Sequence, residues 1–158
     1  MPKRAGEAPS GHHVRLSIHV RWAECDAAGI LYHARVFDWF SEARILWLAG
    51  IGHSYYQDWR PNGLELLVRE AHASFVRAMR PGERLELDAW VDERLGARLR
   101  FRYRVRHQDE IAVEGFTEHV FVQNGHAVNL ARVAPDLDRA VAEAMAVDPP
   151  ASTHQGRE

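Results

Sequence analysis

From Val14 to Trp22 the chain alternates, with Val14, Leu16, Ile18 and Val20 on one side and Arg15, Ser17, His19 and Arg21 on the other. That is the period of a strand with one buried face. The period then changes. From about Ala34 to Leu48, Val36, Phe37, Phe40, Ala43, Ile45, Leu46, Trp47 and Leu48 cover most of a helix, interrupted by Arg35, Asp38, Ser41, Glu42 and Arg44. A helix that apolar is buried on most sides. Gly50 and Gly52 mark its end, and His53 to Arg60 reads as a short turn or helix stopped by Pro61-Asn62-Gly63. Strand-like runs follow over Leu64 to Val76, Arg84 to Glu93, Ala97 to Arg106 and Ile111 to Val122, separated by turn residues and closed by Asn124-Gly125. An amphipathic helix over Asp136 to Met145 comes last.

This order, with no β-α-β alternation and no repeat, predicts an α+β fold. One long helix that is apolar nearly all round needs more cover than a flat sheet gives, so the sheet is expected to curl about it. A single layer still leaves sheet edges open, which predicts self-association. The 158 residues suit a single domain over 13–147. Residues 1–12 read as a disordered leader and 148–158 as a loose tail.

Composition narrows the function classes. A formal net charge of -2 gives no global pull toward nucleic acid or acidic membranes. Cys25 is the lone cysteine, which rules out an intrachain disulfide and a C-x-x-C zinc pair and favours a reducing cytoplasm. The first residues lack the apolar core of a signal peptide, and no run approaches the roughly 18 apolar residues of a membrane span. Lys3 is the sole lysine, read as coding bias.

Candidate chemistry converges on the loop before the long helix. Asp26 is followed by Ala27, Ala28 and Gly29, small residues that let a substrate approach the backbone. An aspartate here serves equally to cap a turn. Its neighbours favour chemistry: the helix start offers N–H groups without intrahelical partners, and Trp22, Tyr32, Phe37 and Trp39 are close enough in sequence to wall a pocket. A carboxylate so placed can activate water or attack an acyl carbon. His33, at the helix start, is read as orienting or polarising the substrate. Glu42 is the rival carboxylate, but with Asp38 and Arg44 nearby it suits an ion pair on the helix face. Cys25 beside Asp26 lacks the positive surroundings of a reactive thiol. The ten histidines are scattered, with no H-E-x-x-H. Neither metal nor cofactor is expected.

Arg98, Arg100, Arg102, Arg104 and Arg106 share one strand face, a pattern that nucleic-acid binders also show. Glu86, Asp88 and Asp92 before it and Glu114 and Glu118 after it favour a cross-strand charge ladder instead. Arg94 and Arg98, around Gly96, stand apart because loop arginines reach phosphates well.

The segment CDAAGILYHARVFDWFSEAR resembles the signature of the 4-hydroxybenzoyl-CoA thioesterase family of hotdog proteins, which includes the branch associated with the Tol-Pal cluster. The similarity extends over about Val14 to Leu130, with a Met79-Arg80-Pro81-Gly82 turn, an E-L-D-A-W strand and an L-G-A-R turn. It implies a five-stranded antiparallel sheet wrapped around one long central helix, assembled as a homodimer or homotetramer with active sites between subunits. It further implies hydrolysis of an acyl-CoA or aroyl-CoA ester, with Asp26 as nucleophile or general base and His33 beside it. The amides of Gly29, Ile30 and His33 would hold the oxyanion, and Arg94, Gly96 and Arg98 the CoA phosphates. Trp22 stands where the Tol-Pal branch commonly has tyrosine. The other reading is a non-catalytic hotdog module that binds acyl-CoA or a protein partner.

Overall fold

The computed structural model describes residues 11–145. Its elements run β1 (His13–His19), α1 (Arg35–Gly50), β2 (Leu64–Phe75), β3 (Arg84–Leu95), β4 (Arg98–His107), β5 (Glu110–Gln123), β6 (His126–Ala127), α2 (Leu130–Val133) and α3 (Pro135–Ala144). All pairings are antiparallel in the order β1-β3-β4-β5-β2, which leaves β1 and β2 as edges. The expected five strands are therefore present, and a sixth corrects the count. At the Asn124-Gly125 turn both residues take positive φ (50° and 85°), and the chain folds back to pair His126–Ala127 with the end of β5. Two residues are too few to show a period.

The face of the sheet toward α1 is apolar by alternation. Leu87, Ala89 and Val91 of β3, Leu99, Phe101 and Tyr103 of β4, and Val113 and Phe121 of β5 are all buried there. From α1, Phe40 stacks on Tyr103 with ring centroids 3.9 Å apart, and Trp47 meets Phe101 edge-on at 5.4 Å. Gly115 permits this approach: a Cβ there would sit 2.5 Å from the His72 carbonyl oxygen and 2.9 Å from Phe40 Cε2.

The opposite face carries the arginine strand. Asp92 accepts from Arg100 (2.9 Å) and Arg102 (2.6 Å), Glu86 from Arg106 (2.8 Å), and Arg98 lies 3.8 Å from Glu118. Asp88, 2 % exposed, takes Arg15 at 2.7 Å and Arg106 at 3.3 Å.

The first strand stops at His19, short of the expected Trp22. Glu24 captures the backbone N–H of Arg21 at 2.9 Å and winds Trp22–Glu24 into a 3-10 turn. His53 to Arg60 contains a wide helical turn at Tyr55–Trp59, capped by Ser54. His12, assigned above to the leader, is anchored: its carbonyl accepts from the Trp47 indole at 3.1 Å and its N–H donates to Ala144. The rest of the expected leader, apart from Gly11, and the expected tail lie outside the described residues. Among the described residues, no helix is long and apolar enough to cross a membrane.

Candidate active site

The loop from Cys25 to Leu31 is a closed turn. Asp26 N–H donates to Ile30 (3.0 Å), Gly29 N–H donates back to Asp26 (3.0 Å), and Gly29 sits at φ 74°. A single bridge, Cys25 to Leu31, closes its base. One carboxylate oxygen, Asp26 Oδ1, accepts from Ala28 N–H at 2.8 Å, so the turn-capping role is real. That bond takes one lone pair of one oxygen and leaves the rest of an exposed carboxylate available.

The turn is docked by Leu31, whose N–H donates to the Met79 carbonyl at 2.7 Å. This places Asp26, Ile30, Leu31 and His33 on one side of a cavity of about 280 Å³, with Phe75, Val76, Arg77, Ala78 and Met79 on the other. Asp26 and His33 are thus brought together.

The helix start presents donors, though not the full set expected. Gly29 N–H is held inside the turn, and those of Arg35, Val36 and Phe37 bond back to Tyr32, His33 and Ala34. The N–H groups of Ile30, His33 and Ala34 have no hydrogen-bond partner among the described residues. No side chain caps α1 at Ala34. Donors without partners beside a carboxylate form a place where an oxygen gaining negative charge is stabilised.

The aromatic wall differs from the expected one. Trp22 is 79 % exposed on the surface, and Trp39 is buried in the core. Tyr32 packs its ring against His33, with centroids 4.7 Å apart. Phe37 lies half-buried one turn into α1, edge-on to Phe40. The apolar wall comes instead from Phe75, Val76 and Met79, which sequence reasoning missed. Only the Met79-Arg80-Pro81-Gly82 turn pointed to that stretch.

Arg77 lines the cavity but is neutralised. Both carboxylate oxygens of Glu83 hold it at 2.9 Å, and Glu110 stands 3.5 Å away. The Arg77 hydrogen bonds hold the Glu83 carboxyl below the usual range against the opposing effect of burial. Desolvation, then the charges of Asp26 and Glu24, push the Cys25 thiol up and disfavour its thiolate. Glu42 is exposed on α1. Arg94 is clamped to Asp138 of α3, Gly96 makes the β3–β4 turn at φ 60°, and Arg98 is 55 % exposed. That turn lies at the far end of β3 from Arg84, about 36 Å along the strand. Within one chain it is therefore remote from Asp26. Among the described residues, no group of three or more His, Cys, Asp or Glu is placed to hold a metal.

Residues 20–145 match the sequence profile of the thioesterase-like superfamily. The chain belongs to that superfamily. An Aquifex aeolicus (strain VF5) protein provisionally named an esterase is 29% identical over 111 residues, 70% of this chain and 86% of that one. A Bacillus subtilis (strain 168) protein provisionally named acyl-CoA thioesterase YneP is 25% identical over 112 residues, covering 70% and 80%. The crystal structure of a DHNA-CoA thioesterase from Staphylococcus aureus superposes with a TM-score of 0.78 over 83% of this chain and 89% of that one, at 24% identity. This superfamily member therefore shares the hotdog thioesterase fold, and the family resemblance of its signature segment is confirmed.

Proposed function

We propose that the protein hydrolyses an acyl-CoA or aroyl-CoA thioester to the free acid and CoA, with its chemistry at the Asp26 cavity. One observation carries this reading: the exposed carboxylate of Asp26 lines one cavity with Ile30 and His33, whose N–H groups have no partner among the described residues. The thioester carbonyl oxygen takes hydrogen bonds from those donors, which strengthen as the carbon becomes tetrahedral. Asp26 then acts in one of two ways. Its oxygen adds to the carbonyl carbon and the C–S bond breaks, giving a mixed anhydride and CoA thiolate, and water later cleaves the anhydride. Or it takes a proton from water as the water oxygen adds, and the C–S bond breaks from the resulting tetrahedral adduct. His33, against Tyr32, orients the carbonyl.

The test is thiol release from a panel of aroyl-CoA and acyl-CoA esters by wild type and Asp26→Asn. Turnover should fall at least a hundredfold in the variant with KM within a few-fold. Near-normal turnover would remove Asp26 from the chemistry. If wild type binds CoA esters without cleaving any, the binding-module reading replaces this one. Label found in Asp26 after a single turnover in ¹⁸O-water establishes the anhydride route, with water attacking the aspartyl carbon.

The assembly we infer is a homodimer or homotetramer in which the sheet wraps α1 as the central helix. The open β2 edge supports it, carrying Leu67, Val68 and Phe75 at 44 to 51 % exposure. Arg94, Gly96 and Arg98 then meet CoA phosphates of a site whose Asp26 belongs to another subunit. Nucleic acid is not a partner in this reading, because acidic neighbours occupy the arginine strand. The single cysteine favours a cytoplasmic location.

A further inference from the structure

A groove runs between α1 and the edge strand β2. Its α1 side is the stripe Phe37, Ser41, Arg44, Ile45 and Leu48, spaced to share one helix face. On the β2 side, Leu66, Val68, Ala71, Ala73 and Phe75 are register partners of Phe121, His119, Thr117, Gly115 and Val113, and so share the sheet face toward α1. Phe75 belongs also to the Asp26 cavity, while Leu66, with Ser41, Arg44, Ile45, Leu48 and Tyr55, lines a second cavity of about 170 Å³. The inward face of β2 thus carries Phe75 at the reacting end and, farther along, Leu66 at a small, largely apolar chamber beside a guanidinium.

That guanidinium lacks a counter-charge. Arg44 donates to Ser41 Oγ at 2.9 Å and to Tyr103 Oη at 3.3 Å, and no carboxylate pairs with it among the described residues. The groups behind these are neutral too. Tyr103 hydrogen-bonds Thr117 Oγ1 at 2.6 Å, and Thr117 bonds His119 Nε2 at 2.8 Å. Burial and the charge of Arg44 together hold His119 uncharged, with a pKa of about 3. A half-buried cation among neutral groups gains most from an anion delivered by a ligand. Its contact with Tyr103 sets the reach: Tyr103 pairs with Gly115 and Gly115 with Ala73, which lies two residues, about 7 Å along β2, from Phe75 of the Asp26 cavity. That length is close to the span of a para-substituted benzoyl group.

We propose that the groove between α1 and β2 holds the acyl part of the ester and that Arg44 selects acyl groups carrying an anionic substituent at the far end. This rests on the hydrolase reading above and adds the substrate class to it.

The experiment compares benzoyl-CoA with 4-carboxybenzoyl-CoA in wild type, Arg44→Met and Arg44→Lys. The quantity read is the ratio of the two kcat/KM values within each protein, so a general loss of activity cancels. Wild type should favour the carboxylate ester at least tenfold, mostly through KM. Arg44→Met should bring the ratio to one or below, and Arg44→Lys should restore part of it. A wild-type ratio of one, or the same ratio in wild type and Arg44→Met, overturns the proposal. So does an Arg44→Met variant that changes only the oligomeric state, which would mean that a second copy supplies the counter-charge. If wild type cleaves neither ester, the hydrolase reading fails by itself. Calorimetry with free terephthalate and benzoate then tests the groove: dianion binding lost in Arg44→Met upholds the anion site, and no binding by wild type overturns it.

Discussion

The backbone N–H of Leu31 donates to the carbonyl of Met79 at 2.7 Å, and this bond joins the two halves of the candidate site. On one side it holds the Asp26 turn, on the other the stretch from Phe75 to Met79 that leaves β2. The exposed Asp26 carboxylate thereby stands at the edge of a walled cavity.

Asp26 has a structural and a chemical task, and two variants separate them. Asparagine keeps an oxygen to accept from Ala28 N–H, so Asp26→Asn should unfold within about 0.5 kcal/mol of wild type. Asp26→Ala loses that bond and should cost about 1 kcal/mol more. Both should lose turnover equally. Thermal unfolding beside thiol release checks it; an Asp26→Asn variant as unstable as Asp26→Ala would mean that charge, not the turn bond, stabilises the loop.

Gly115→Ala should destabilise by about 1–3 kcal/mol, because the new Cβ meets the His72 carbonyl oxygen and the Phe40 ring inside van der Waals distance. Denaturant unfolding measures this. A neutral outcome would show that β2 and α1 shift apart freely there.

His119 ties stability to pH. Its folded pKa of about 3 lies below the ordinary 6.5, so between those values the unfolded chain binds more protons than the folded one. Stability from this group is full above pH 6.5 and falls as the pH drops toward 3, with a slope approaching about 1.4 kcal/mol per pH unit. His119→Gln should flatten that part of the profile, as urea unfolding from pH 4 to 7 would show. Equal slopes in both proteins would mean that His119 titrates normally.

For the nucleotide end, Arg98→Ala should raise KM for a CoA ester about fivefold with kcat unchanged, and the effect should shrink with dephospho-CoA esters. Arg94→Ala should in addition lower the melting temperature, because Arg94 also anchors Asp138 of α3. Unchanged KM in both variants would move the phosphate site elsewhere.

Much was determined by the sequence itself. The strict alternation of β1, β3 and β4, the apolar circumference of α1 and the glycine-marked turns are local rules of period and backbone freedom, and they fixed the α+β order and the Asp26–His33 junction. Local pattern also sufficed for the charge ladder, since cross-strand partners follow once two strands alternate. What tertiary structure alone decided is which residues meet across the chain. Trp22, Tyr32, Phe37 and Trp39 are neighbours in sequence, yet helix and turn geometry sends them to the surface, against His33, into the α1 groove and into the core. Phe75 to Met79, more than 40 residues from Asp26, form the cavity wall. Arg44 reads in sequence as half of a helix-face ion pair; its neutral surroundings became visible only when β4 and β5 were packed beneath it. Periodicity says which face is buried, whereas the identity of the neighbours depends on how the sheet folds over the helix.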